Sequence, residues 1–443
     1  MENLLEKIAR LEIEHDGLHP DVVKKKNIKL GLRNRDGSGV VTGITTKGQV
    51  TGYKKDSWGK NIAVPGKLYY CGYDVEDLVS NYEAEGRFGF EETIYLLLTG
   101  ELPTSEDLKS FQQELSSRRM LPEDAKQIIS FNSKNDDQMG ALHTAVSSLH
   151  KFDSNPRSTD IKDVTRQCID LIAKFPAIIA YNCSVLMSDS KKCLMMVEPE
   201  EGMSTSECFL QMLNGTVPDK AAAHILDLAL VLHAEHGGGN NSTFAVRTVS
   251  SSLTDTYMAL SAGVASLAGH LHGGANEAVM NMMAGIKENV RDWNDNNEIY
   301  EYLAGIIEGK YGDRSGKIYG LGHAVYTISD PREPILKKKA EKLAEEAGRL
   351  DEFHLYSRVA DLSVKLIKKK KKKKACPNVD FYSGFVYDMI GIPKELFTPI
   401  FAMSRIAGWS AHRIEEIIQG KLIRPSYLSS LEQMRTYVPM EKR

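Results

Sequence analysis

The sequence predicts a mainly α-helical protein with one small β element near its N-terminus, and three observations carry that expectation. Apolar residues recur at helical spacing along most of the 443 residues. Short polar breaks containing glycine or proline separate these stretches. Strand-like patterning is confined to one Gly/Thr-rich segment, Asp36 to Gly66.

Taken in order, residues 1–14 read as an amphipathic helix, and the glycine-bounded pieces of Asp36–Gly66 read as short strands. From Tyr73 onward the pattern is helical. FEETIYLLLTGELP, starting at Phe90, should be a helix stopped by Gly100 and Pro103. Lys220 to Leu232 is apolar almost all round, as in a helix buried in a large core, and Gly237, Gly238 and Gly239 end it. Tyr257 to Ala268 is built mostly of small residues, which permits close backbone packing. Leu396 to Ile418 gives a further helix, expected to bend or break near Pro399 and Gly408. The seven consecutive lysines, Lys368 to Lys374, read as a solvated loop or helix end. An anion contact is the sharper alternative, because an acidic motif follows within a few residues.

Composition narrows the classes. Hydrophobic residues make up 42% and charged residues 26%, with mean hydropathy −0.31, which is ordinary for a globular chain. Basic residues number 56 against 59 acidic, a net charge of −3, so no global field marks a nucleic-acid or membrane partner. The chain is about three times a ~150-residue domain, leaving room for one large and one smaller domain. Cys71, Cys168, Cys183, Cys193, Cys208 and Cys376 form no C-x-x-C pair. A thiolate zinc ribbon or disulfide scaffold is therefore not expected, and a reducing compartment is. No apolar run approaches the ~20 residues of a membrane span, and the N-terminus lacks the features of a secretion signal or transit peptide. A cytoplasmic location is expected.

Four clusters place ionisable residues among glycines at helix ends, where backbone groups are unpaired and side chains reachable. In His233-Ala-Glu-His236-Gly-Gly-Gly, two histidines three apart share a helix end. The spacing lacks the H-E-x-x-H pattern of a zinc hydrolase, so a polar ligand or a helix cap fits better than a metal. In Gly269-His270-Leu-His272-Gly-Gly-Ala-Asn276, the glycines let backbone approach a ligand and a helix resumes after His272. A helix N-terminus there would keep the ring neutral and able to donate to a developing enolate. A polar turn is the bland alternative. In Tyr319-Gly-Leu-Gly-His323-Ala-Val-Tyr followed by Asp330-Pro-Arg332, no strand precedes the glycines, so a dinucleotide fold is excluded. His323 and Arg332 offer a neutral donor and a forked carboxylate clamp. In Cys376-Pro-Asn-Val-Asp380-Phe-Tyr-Ser-Gly384, an acid opens a helical pattern, by default as its cap. Together these supply a carboxylate, imidazole donors and arginines with no nucleophile elbow. That inventory suits proton abstraction beside a carbonyl and carbon–carbon bond formation on an anionic acceptor.

LHAEHGGGNNSTFAVR, LAGHLHGGANEAV, GLGHAVY…DPR, PNVDFYSG and MSRIAGWSAHRIEE…IRP resemble, in order, the signature segments of citrate synthases. GKLYYCGYDVEDL and FEETIYLLLTGELPT continue the likeness upstream, so it covers about residues 38 to 430. The resemblance is to bacterial enzymes of the Si type. It implies a citrate-synthase-like fold: a large helical domain from 1–273 and 395–443, and a smaller helical domain at 274–394. It implies that Asp380 removes a methyl proton of acetyl-CoA, His272 stabilises the enol or enolate, and His323 donates to the ketone of oxaloacetate. His236, Arg332 and Arg405 would hold oxaloacetate, with Arg424 reaching across a homodimer. Citryl-CoA would then be hydrolysed to citrate and CoA. No cofactor or metal is implied, acetyl-CoA being a substrate, and no nucleic acid or membrane partner. Gly316 to Gly322 would cradle adenine, with Lys310, Arg314 and Lys317 as candidates for the phosphates. Thr327 and Ile328 stand where relatives often carry Lys or Arg, and YKKDSWGKNIAVPG near residue 53 looks like an insertion. The rivals are a 2-methylcitrate synthase using propionyl-CoA, a metal-dependent hydrolase built on His233, His236 and His272, and a non-catalytic CoA-binding relative.

Overall fold

The computed structural model describes residues 3–14, 20–132, 137–187, 200, 202–429 and 435–443. The chain divides into two compact units, Met1–Ile44 with Ile423–Arg443, and Thr45–Leu422. In the first, the N-terminal amphipathic pattern forms the helix Leu4–Glu14, followed by Pro20–Lys25. Neither helix has a buried residue, and Leu4, Leu5, Ile8 and Ile13 are exposed. After Ile423 the only regular element among the described residues is a short turn of helix, Met440–Lys442.

Among its described residues the regular structure of the second unit is helical apart from one antiparallel sheet of three strands, β1 (Gly48–Lys55), β2 (Asn61–Tyr70) and β3 (Tyr73–Asp74). These arise where the Gly/Thr-rich stretch predicts strand. Pairing runs from Gly48↔Tyr70 to Lys55↔Asn61, with an irregularity between Thr51 and Tyr53. Pro65 sits opposite that irregularity, where its missing N–H breaks no ladder bond. Next to it, the Gly66 N–H donates to the Ser329 carbonyl at 3.1 Å, and a Cβ at Gly66 would overlap that oxygen and the Tyr326 ring. Only glycine lets the hairpin lie this close to the loop that carries His323.

Three helices contribute many of the buried core residues. Lys220–His233 is buried along its second half, as its apolar composition predicts. Within the helix Ile161–Met187, Ile161–Val185 is long and apolar enough to cross a membrane by length and composition, contrary to the sequence reading. Its most apolar window is 67% buried within the protein, and it packs here as a core helix. Phe397–Gln419 is one unbroken helix, where the sequence led us to expect a bend or break. Pro399 falls in its first turn, where no intrahelical N–H is required. Gly408 lies against the Ala234 carbonyl and Glu235, so the glycine serves close approach, not flexibility. Thr256–Ala268 uses its small residues as expected: Gly263 faces Val246 and Trp409 at distances that leave no room for a Cβ. The lysine run forms the last turn of the helix Leu350–Lys371 and leaves it through Lys372 in the left-handed conformation. None of the described cysteines is in a disulfide, and Cys193 lies outside the described residues.

Candidate active site

The helix Lys220–His233 ends at a buried imidazole. His233 Nδ1–H donates to the Ala229 carbonyl at 2.7 Å, and the ring meets Phe401 edge-on at 4.8 Å. Gly237, at φ +82°, then turns the chain. His236 is thereby buried with its Nε2 lacking any hydrogen-bond partner. Burial, with Arg332 and His323 nearby, holds its pKa well below the ordinary histidine value, so the ring is neutral.

The loop bearing His323 is laced to the segment preceding Asp380. Gly322 N–H donates to the Cys376 carbonyl at 2.9 Å, Asn378 N–H to the Gly320 carbonyl at 2.9 Å, and Asn378 Nδ2 to the Gly322 carbonyl at 3.0 Å. Gly320, at φ +72°, lies against Phe381 and Val279 where no side chain fits. His323 Nδ1 accepts the backbone N–H of Val325 (3.0 Å) and of Tyr326 (3.2 Å). An accepting Nδ1 places the ring proton on Nε2, which makes Nε2–H the donor. The ring stacks on Tyr326 at 4.6 Å and meets His236 edge-on at 4.9 Å.

Arg332 opens the helix Arg332–Glu346 and is buried. Its Nε and Nη2 grip the Asp330 carboxylate at 2.9 and 2.7 Å. Burial opposes the guanidinium charge, but Asp330 more than restores it and raises the pKa. Arg405, on the helix Phe397–Gln419, is also buried. Its Nε donates to the His233 carbonyl at 2.7 Å, its guanidinium lies 4.7 Å from the Phe401 ring centre, and its Nη1 has no partner. Burial brings Arg405 down to about 10, still a cation at neutral pH.

Asp380 is the first residue of the helix Asp380–Met389, and its N–H donates to Asn378 Oδ1 at 3.0 Å. The cap position belongs to Val379, so the carboxylate is not spent as the cap that sequence suggests by default. Burial raises its pKa to about 6, against the pull of Arg332 and Arg405 and with the push of Asp330. His272 occupies the turn before the helix Ala275–Asn289. Its Nε2 accepts the Ser242 N–H at 3.3 Å and lies 3.0 Å from the Ser242 hydroxyl, which in turn accepts from the Trp409 indole at 3.2 Å. The proton is therefore on Nδ1. Burial first, and then Arg405, lowers the His272 pKa to about 4. The expected neutrality is there, with desolvation as its largest cause.

Seven residues were expected at the site, and six of them lie in the Thr45–Leu422 unit. Arg332 and Arg405 both act on Asp380 and His236, and Arg405 acts on His272. Arg424 falls in the other unit, exposed and outside regular secondary structure. Among the described residues no group of three His, Cys, Asp or Glu side chains is placed to hold a metal ion. Sequence reasoning missed Asp330 as the partner of Arg332, Tyr326 as the platform under His323, and Ser242 as the group that orients His272. The D-P-R triplet was a usable signal for Asp330, and the other two had none.

Residues 38–426 match the family model described as citrate synthase, C-terminal domain. The citrate synthase of Haloferax volcanii is 36% identical over 385 residues, covering 85% of this chain and 93% of that protein. A 2-methylcitrate synthase of Shewanella oneidensis is 34% identical over 387 residues, covering 87% and 94%. The solved citrate synthase of Thermoplasma acidophilum, a ternary complex with carboxymethyl coenzyme A and oxaloacetate, superposes with a TM-score of 0.77 at 29% identity, covering 94% of this chain and 99% of that one. With its helical fold and its laced histidine and aspartate loops, this chain belongs to the citrate synthase family.

Proposed function

We propose that the protein condenses acetyl-CoA with oxaloacetate and hydrolyses citryl-CoA to citrate and CoA, with no cofactor. One observation carries the reading best: unsatisfied buried groups, Arg405 Nη1 and His236 Nε2, sit beside the buried Arg332. Buried polar groups without partners await a ligand's hydrogen bonds. Two guanidinium groups suit the two carboxylates of oxaloacetate. His323 Nε2–H then polarises the ketone. Asp380 takes the methyl proton of the thioester while His272 Nδ1–H donates to the oxygen on which negative charge develops. Two neutral imidazoles are the right state for both donors, because each stabilises charge only as it forms.

The division into a large domain (1–273 and 395–443) and a smaller one (274–394) belongs to the same proposal. It would put Asp380 and His323 on one body and Arg405 on the other, with closure excluding water from the reactive thioester. Arg424 is assigned to the oxaloacetate site of a partner subunit in a homodimer. Release of thiol from acetyl-CoA tests the reading. It should require oxaloacetate strictly; release without the keto acid, or none with it, overturns it. The presence of 2-methylcitrate synthases among the relatives favours one second reading, with propionyl-CoA as donor. One methylene shifts preference by only about 1–3 kcal/mol, so turnover with the two acyl-CoAs decides between them.

The lysine run supports a place for the CoA phosphates. Lys371 Nζ donates to the Gly316 carbonyl at 2.8 Å, and Lys370 pairs with Glu308. The run thus lies beside the Gly316–Gly322 segment proposed to cradle adenine. Lys310, one of the earlier candidates, is engaged by Glu308 at 2.7 Å. Replacing Lys371–Lys374 with serine should raise the KM for acetyl-CoA about tenfold, as loss of one or two charge-assisted hydrogen bonds does. The KM for oxaloacetate should stay put; an unchanged acetyl-CoA KM removes the assignment.

A further inference from the structure

Three rings of the site touch one another, and one of them has no part in the chemistry assigned above. Tyr326 is fully buried. Its ring stacks on His323 at 4.6 Å with 25° between the planes, and meets His236 edge-on at 5.5 Å and 85°. The two imidazoles meet each other edge-on at 4.9 Å. The Arg332 guanidinium carbon lies over the same phenol ring, 6.0 Å from its centre. His236, His323 and Arg332, three groups assigned to oxaloacetate, thus rest on one side chain. That side chain is itself held by β2. A Cβ at Gly66 would lie 2.5 Å from the ring, and the Tyr326 hydroxyl donates to the Lys67 carbonyl at 3.4 Å.

Resting on the condensation proposed above, we propose that Tyr326 is a positioning residue for the keto acid. Its ring sets both imidazoles and Arg332 at fixed mutual angles, so that the ketone and a carboxylate of oxaloacetate are met together. The torsion that turns an imidazole about its Cβ–Cγ bond is soft, so packing decides where the ring nitrogens point. Offset stacking and edge-on contact are the arrangements aromatic pairs prefer, and Tyr326 makes one of each. His236 needs this most: its Nε2 has no hydrogen-bond partner, and its packing against Tyr326 and His323 orients the ring. For His323 the same residue acts twice. The Tyr326 N–H donates to Nδ1 at 3.2 Å, which leaves the proton on Nε2, and the phenol face fixes the plane in which that proton lies. The hydroxyl bonds to β2 and to no assigned substrate group, so the ring carries the function.

Two variants separate ring from hydroxyl. Tyr326→Phe keeps the planar face and loses the bond to Lys67, whereas Tyr326→Leu keeps apolar bulk and loses the face. Tyr326→Leu should lower kcat about tenfold to a hundredfold and raise the oxaloacetate KM about tenfold, the scale of loss when a positioned group shifts by up to about 1 Å. The acetyl-CoA KM at saturating oxaloacetate should not change, and Tyr326→Phe should keep kcat and both KM values near those of the unmodified protein. Unaltered kcat and oxaloacetate KM in Tyr326→Leu overturn the proposal, even if that variant melts earlier, because packing alone would then be its role. Equal losses in Tyr326→Phe overturn it too. Should Tyr326→Leu not fold, fluorine NMR of protein carrying fluorotyrosine takes over, with the Tyr326 signal assigned by its absence from Tyr326→Phe. That signal should shift on saturation with oxaloacetate and stay put with acetyl-CoA alone; a signal that oxaloacetate leaves unmoved is equally fatal. Failure of the condensation reading looks different, since the unmodified protein would then release no thiol when oxaloacetate is supplied.

Discussion

Asp380→Asn should lower kcat by about 10²–10⁴-fold, the range lost when a positioned general base is removed. The substitution keeps the side chain's size, and the backbone bond from its N–H to Asn378 Oδ1 is unaffected. Oxaloacetate affinity should therefore survive while proton abstraction does not. The thioester α-proton is a weak acid, and a carboxylate removes it only if its own proton affinity is raised and the enolate is stabilised as it forms. Burial supplies the first condition by lifting Asp380 to about 6. The sign for pH follows directly. The working form is ionised, so kcat/KM for acetyl-CoA should be level above pH 7 and fall about tenfold per unit once the pH drops below 6. A profile that stays flat to pH 4.5, or an Asn variant with near-full turnover, would contradict the assignment.

Arg405→Leu should weaken oxaloacetate binding by about 10²–10³-fold, as removal of one partner from a buried charge pair typically does. Leucine keeps apolar volume against Phe401, where the guanidinium now lies 4.7 Å from the ring centre. One group is left behind, because the His233 carbonyl loses its donor. A modest loss of thermal stability should accompany the lost affinity. Because the His272 pKa is lowered in part by Arg405, that imidazole should titrate closer to its ordinary value in the variant, by NMR. Oxaloacetate binding at the unmodified level would remove Arg405 from the substrate site.

Helical periodicity and glycine punctuation made the fold class and the β1–β2 hairpin legible, because both signals are local. The four polar clusters were legible for the same reason. Proline and glycine misled in Phe397–Gln419: whether they break a helix depends on position and neighbours, and Gly408 answers to Glu235, far away in sequence. The partnerships that tune the site are also distant. His412 and Glu235 are 177 residues apart, and Trp409 reaches Ser242 across 167. No spacing rule reaches that far. Nor does sequence disclose burial, which is what raises Asp380 and lowers His272.

The bonds from Gly322 to Cys376 and from Asn378 back to Gly320 and Gly322 have a mechanical corollary. On the roles proposed for Asp380 and His323, the residue that would draw off a proton from one reactant and the residue that would make the other electrophilic are mounted on a single bracket. If the proposed domain closure occurs, these bonds favour the two moving as one unit, so that closure changes chiefly their reach to partners on neighbouring helices. The two halves of the proposed bond-forming event would then stay in step because they share a frame.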